Sequence, residues 1–97
     1  MNFFNGMVPK SGELFTTLLK HKNIEIKRIV SSEDFESIEY CQEEDEWVIL
    51  IEGEAILLVD NSKKYLQKGE SLFIPANTPH QVLTMQQGTL WLVVHIF

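Results

Sequence analysis

The sequence predicts a small all-β domain with one short helix near its N-terminus. Three observations carry this reading. Short stretches of alternating apolar and polar residues run from Ile24 onward. Turn-forming clusters interrupt them at close spacing, among them Asp60-Asn61-Ser62, Lys68-Gly69-Glu70 and Gln86-Gln87-Gly88. Two stretches, Trp47 to Ile51 and Thr89 to Phe97, place apolar residues on both faces of a strand. About eight or nine short strands so spaced suggest an antiparallel sandwich or barrel.

Taken in order, residues 1–10 are irregular, with Gly6 and Pro9 as breakers. Phe3, Phe4, Met7 and Val8 are too apolar for a free tail and are expected to pack on the domain or on a partner. Ser11 can cap a helix through about Lys20, whose apolar face is Leu14, Phe15, Leu18 and Leu19. His21 would close that helix, where a cation suits the dipole. Ile24 to Val30 alternates as a strand, and Ser31 to Asp34 is a polar turn. Phe35 to Gln42 reads as the next strand, followed by the acidic run Glu43 to Glu46. Trp47 to Ile51 is apolar at every position, so that strand is expected to be covered on both faces, with Trp47 in the core. Gly53 breaks it, Ala55 to Val59 follows, and the hairpin turn at Asp60-Asn61-Ser62 leads into Lys64 to Gln67. Ser71 to Ile74, His80 to Met85 and Thr89 to Phe97 complete the strands. The division expected is an arm and helix over 1–23 and a barrel over 24–97.

Composition narrows the function. A chain of 97 residues is one domain, and at that size it buries between ~60% and ~70% of its unfolded surface. A homodimer sharing apolar surface would enlarge that modest core. The net charge of −6, with eight Lys and Arg scattered along the chain, argues against nucleic acid and against an anionic membrane surface. Lys27-Arg28 and Lys63-Lys64 read as solvated pairs. No apolar run approaches the roughly 20 residues of a membrane span. A lone cysteine, Cys41, fits a reducing compartment, and a cytoplasmic location is the expectation.

Two stretches carry chemistry. Tyr40 to Ala55 (YCQEEDEWVILIEGEA) contains Glu46-x6-Gly53, and Gly69 to Val82 (GESLFIPANTPHQV) contains Gly69-x5-Pro75 and His80. This ordered pair resembles the two motifs of a small single-domain cupin. The first family motif ends in E-x6-G; the second is G-x5-P-x-G-x2-H-x3-N, with Asn77 here at its second glycine and Thr84 at its final Asn. The resemblance covers about residues 24–97. It implies a double-stranded β-helix, that is, a jelly-roll barrel. It also implies a divalent metal held by two His and a Glu of the first motif and a His of the second. The sequence departs from the family at the two motif-one histidines. Counting back from Glu46, one register places Tyr40 and Gln42 there, and the other places Glu39 and Cys41.

Glu46 and His80 are therefore the candidate catalytic pair. A carboxylate beside an imidazole can hold a metal, or orient the ring, raise its pKa and act with it in acid–base catalysis. It can also be a purely structural contact between two strands. Gln42 and Tyr40 share a strand face and can line the pocket; with Glu46 and His80, Gln42 is a candidate metal ligand for one hard or borderline ion. Trp91 and His95 lie on one face of the last strand and are further pocket candidates. His95, His80 and Glu46 together have the composition of a two-His, one-carboxylate iron site, although a lone His on an apolar strand is more often a packed residue. Glu43, Glu44 and Asp45 read as a solvated loop at the barrel mouth that disfavours anionic substrates. Three functions remain open: a metal-assisted or metal-free enzyme on a small organic molecule, a non-catalytic ligand-binding or sensing module, and a structural dimer.

Overall fold

The computed structural model describes residues 2–97. It contains eight strands: β1 (Glu13–His21), β2 (Ile24–Ser31), β3 (Asp45–Glu52), β4 (Glu54–Val59), β5 (Ser62–Gln67), β6 (Ser71–Ile74), β7 (His80–Met85) and β8 (Thr89–Ile96). They form two antiparallel sheets, five strands in the order β1-β2-β8-β3-β6 and three in the order β5-β4-β7. This is the jelly-roll sandwich expected.

Strand periodicity builds the core between the sheets. On the larger sheet, Val48 stands opposite Val93 and Leu50 opposite Trp91, and all four are buried. Ala55, Leu57, Val59, Leu66 and Met85 meet them from the smaller sheet. The turns follow the local chemistry. Asp60 and Asn61 both have positive φ (48° and 64°) between Val59 and Ser62, the geometry of a type I′ hairpin. Asn77, where the motif's second glycine falls, has φ 60°, a conformation Asn tolerates better than most residues.

The short N-terminal helix does not form. Residues 13–21 are instead the edge strand β1, paired with β2 along its length. A β-bulge between Thr17 and Leu19 explains the helix-like spacing. The extra residue, Leu18, changes the phase of alternation, so Leu14 and Leu19 fall on one face while Phe15 falls on the other. Tertiary pairing overrides a pattern that fits either element. His21 is accordingly an exposed strand end with no helix dipole to meet.

Other expectations also change. Residues 35–42 are not a strand; they run beside the free edge of β7 with one isolated bridge, Tyr40 to His80. Here the Ser37 hydroxyl donates to the Val82 carbonyl in place of a ladder bond. Ser31 and Ser32 are fully buried rather than a solvated turn; the Ser31 hydroxyl donates to Glu13 and that of Ser32 bonds to the Gly12 and Asp34 carbonyls. Arg28 is buried beneath the N-terminal arm, where its Nε donates to the Phe3 carbonyl and its guanidinium lies over the Phe3 ring. Trp47 is 40% exposed on the outer face of the sheet, because it alternates with Glu46 and Val48, which point inward. Met1, the first residue of the expected arm, lies outside the described residues.

Candidate functional site

The sandwich encloses a cavity of about 250 Å³, a little below the roughly 300 Å³ at which small-molecule pockets usually begin. Tyr40, Gln42, Glu46, His80, Trp91 and His95 all line it. The fold brings them together from four places. Glu46 is the first inward residue of β3, and His95 stands directly opposite it on β8. His80 opens β7 in the other sheet. Tyr40 and Gln42 are held by backbone bonds: Tyr40 and His80 exchange both amide–carbonyl bonds, and the Asn77 amide donates to the Gln42 carbonyl. Glu39 and Cys41 are exposed and do not reach the cavity. Apolar walls come from Ile29, Val48, Leu57, Ile74 and Val93, with Phe15 at the rim.

His80 and Glu46 are the polar centre. Nε2 of His80 lies 3.5 Å from Oε2 of Glu46, with the side chains only 11% and 12% exposed. The other ring nitrogen, Nδ1, is 2.8 Å from the Thr78 carbonyl. A carbonyl only accepts, so Nδ1 carries a hydrogen. Nε2 of a neutral ring would then aim its lone pair at a carboxylate oxygen. The contact is attractive only if a further proton resides on the pair, as imidazolium with carboxylate or imidazole with carboxylic acid. The Glu46 carboxylate raises the pKa of His80, burial opposes it, and the Thr78 carbonyl supports it. At 3.5 Å this is a charge contact and not a formed hydrogen bond; Oε2 of Glu46 is buried with no hydrogen-bond partner. The Tyr40 ring stacks on His80 at 6.1 Å and 29°, partly shielding the imidazole from solvent.

A second carboxylate–imidazole couple stands beside the first. Glu44 turns inward, its side chain 16% exposed, with Oε1 3.5 Å from Nδ1 of His95. The same Oε1 accepts from Nε2 of Gln42 at 2.7 Å. The solvated-loop reading of residues 43–45 therefore fails for two of the three. Asp45 is also engaged, accepting from the Ala76 amide at 2.8 Å; Glu43 alone is exposed. The sequence hint was alternation: Gln42, Glu44 and Glu46 are spaced as one face of an extended chain. Lys27 and Glu13 were also missed, the first because it reads as a solvated basic residue and the second because it falls in the expected N-terminal helix; each lines the cavity. Lys27 pairs with Glu25 at 3.7 Å.

The side chains present do not make a cupin-type metal site. Among the described residues, no three His, Cys, Asp or Glu gather around one point as ligands. His95 directs Nδ1 to Glu44 rather than to the Glu46–His80 pair, and the Gln42 amide nitrogen is engaged by Glu44. The Gln42 amide oxygen, the Glu46 carboxylate and the His80 imidazole remain at the cavity, one histidine and one carboxylate where the family motifs supply three histidines and a carboxylate.

The sequence matches the family described as Cupin domain over residues 32–95. No curated protein matches it. Among solved structures, it is similar to a Ralstonia eutropha JMP134 protein provisionally named mannose-6-phosphate isomerase. The two share 30% identity over 99% of this chain and 95% of that one, with a TM-score of 0.86. A cupin superfamily protein from Desulfitobacterium hafniense DCB-2 shares 22% identity over 94% of this chain and 83% of that one (TM-score 0.79). An RmlC-like cupin from Shewanella frigidimarina NCIMB 400 shares 20% over 89% and 77% (TM-score 0.80). The last two speak for the fold alone.

Proposed function

Since this chain belongs to the cupin domain family, we propose that it binds a small organic molecule in the barrel cavity, held against the Glu46–His80 pair. The observation that carries this is the pair itself: two ionisable groups, nearly buried and 3.5 Å apart, at the wall of a largely apolar cavity. Such a pair is costly to bury, and it is equipped to give or take a proton at a bound ligand. Glu46 and His80 are the proton-handling residues of this reading. Gln42 orients the ligand, while Tyr40, Trp91 and His95 shape its pocket. A resident divalent ion held by Gln42, Glu46 and His80 is not part of it, because Gln42 would add only one neutral amide oxygen to a single carboxylate and a single imidazole, a weak set for such an ion.

The Ralstonia protein's name would suggest a phosphorylated sugar. The cavity lining argues otherwise, since its one lysine, Lys27, is tied to Glu25 and it contains no arginine. We also include a homodimer in the proposal. Its support is a row of apolar residues on the outer face of the larger sheet, Leu19, Ile26, Val94, Trp47 and Phe73, in register across all five strands. A cytoplasmic location completes the reading. It is consistent with the exposed free thiol of Cys41 and with the absence, among the described residues, of a helix long and apolar enough to cross a membrane.

The test is a melting-temperature screen against a panel of small metabolites, with turnover of each hit followed by NMR. Hits that shift wild type but neither Glu46→Gln nor His80→Ala support the fold and sink the pocket assignment. Turnover abolished in both variants supports acid–base catalysis; binding without turnover leaves a sensing module.

A further inference from the structure

We propose that Glu44 sets which ligands the cavity accepts: non-anionic molecules that donate hydrogen bonds, such as protonated amines and hydroxyl compounds, ahead of carboxylates and phosphates. The inference rests on the reading above that this cavity is the binding site, and it assigns to Glu44 a positioning role behind the lining.

The first argument is geometric. Glu44 comes from the acidic loop but is turned under the cavity wall, with its side chain 16% exposed. Its Oε1 lies 2.7 Å from Nε2 of Gln42. An ionised carboxylate only accepts, so the orientation of the Gln42 amide is determined: nitrogen toward Glu44, oxygen left for a ligand. Without Glu44 the amide could present either end. With it, Gln42 becomes an acceptor beside a second acceptor, the Glu46 carboxylate. A ligand that brings N–H or O–H groups satisfies both, and one that brings only acceptors satisfies neither.

The second argument is charge. Glu13 and Glu46 line the cavity and Glu44 stands directly behind it. Against them are Lys27, already 3.7 Å from Glu25, and His80, whose counter-ion is Glu46. His95 likewise faces Glu44 at 3.5 Å, so each basic group of the lining already has a carboxylate beside it, and an incoming anion would meet net negative charge between apolar walls, where screening is weak. An ammonium group would meet the opposite.

Isothermal titration with three probes on one skeleton tests this: protonated cyclohexylmethylamine, cyclohexylmethanol and cyclohexanecarboxylate. For wild-type protein the amine and alcohol should bind at least ~10-fold more tightly than the carboxylate. Glu44→Gln should bring the three within about 3-fold of one another, by removing a charge and freeing the amide to turn. Glu44→Asp separates the two effects if Glu44→Gln does not fold. The shorter acid keeps the charge but not the reach, so carboxylate remains excluded while alcohol binding weakens by about 5-fold or more. Carboxylate binding to wild type as tightly as its partners, or an unchanged ratio in Glu44→Gln, overturns the role of Glu44 and leaves the pocket standing. Failure of all three probes to bind overturns the pocket reading itself.

Discussion

Glu46 and His95 stand directly opposite each other on adjacent strands, yet neither is the other's partner: Glu46 reaches across the cavity to His80, and His95 turns to Glu44. The site is therefore two carboxylate–imidazole couples side by side rather than one cluster. One couple bridges the two sheets, from β3 to β7. The other is drawn back toward the acidic loop and orients the lining.

The first couple predicts a pH dependence. His80 has a folded-state pKa raised above the ordinary 6.5, so folding favours its protonated form. Its contribution to stability is full below pH 6.5, while Glu46 stays ionised, and is lost as pH rises through the raised value. Glu46→Gln removes the largest cause of the shift. The variant should be less stable than wild type by about 1–2 kcal/mol on the acid side of pH 6.5, with the gap closing toward alkaline pH. NMR titration of His80 should show its pKa fall in the variant; an unmoved titration would show that the contact does not exist in solution.

Trp47 predicts the oligomeric state. It lies fourth of five in the outer apolar row, with Val94 on one side and Phe73 on the other. If two copies pack on this face, a lysine there places a charge within the contact. Trp47→Lys should weaken self-association by about 100-fold or more. Light scattering after size exclusion should move from the dimer mass to the monomer mass. A wild-type protein that elutes as a monomer at all concentrations removes the dimer from the proposal.

Gly53 predicts a stability loss far from the cavity. Its φ is +96°, and an added Cβ would sit 2.6 Å from Oγ1 and 2.9 Å from Cα of Thr89. The second contact is with backbone, which cannot swing away. Backbone strain of about 1–3 kcal/mol adds to an overpacking cost of similar size, so Gly53→Ala should lose about 2–4 kcal/mol. At this chain length that lowers Tm by roughly 10 °C or more. Calorimetry measuring a loss under about 3 °C would contradict the close approach.

Much of the architecture was legible because strand alternation and turn chemistry are local. Trp91, Val93 and His95 share a face in sequence and share it in the barrel. Glu46-x6-Gly53 and Gly69-x5-Pro75 mark turns whose backbone geometry the residues themselves demand; Gly53 and Gly69 both have positive φ. Where the local signal was ambiguous it misled. The bulge in β1 mimics helical spacing, and only pairing with β2 decides between the two.

By itself, then, the sequence determined a small jelly-roll cupin, a candidate pair in Glu46 and His80, and the loss of the usual motif-one histidines. These depend on residue type and spacing along one chain. The tertiary structure alone decided that Tyr40 and Gln42 face the cavity while Glu39 and Cys41 do not. It alone turned Glu44 inward and left Glu46 opposite a histidine it does not pair with. Those outcomes depend on which strands lie side by side, and each carboxylate goes to the donor that the fold brings within reach.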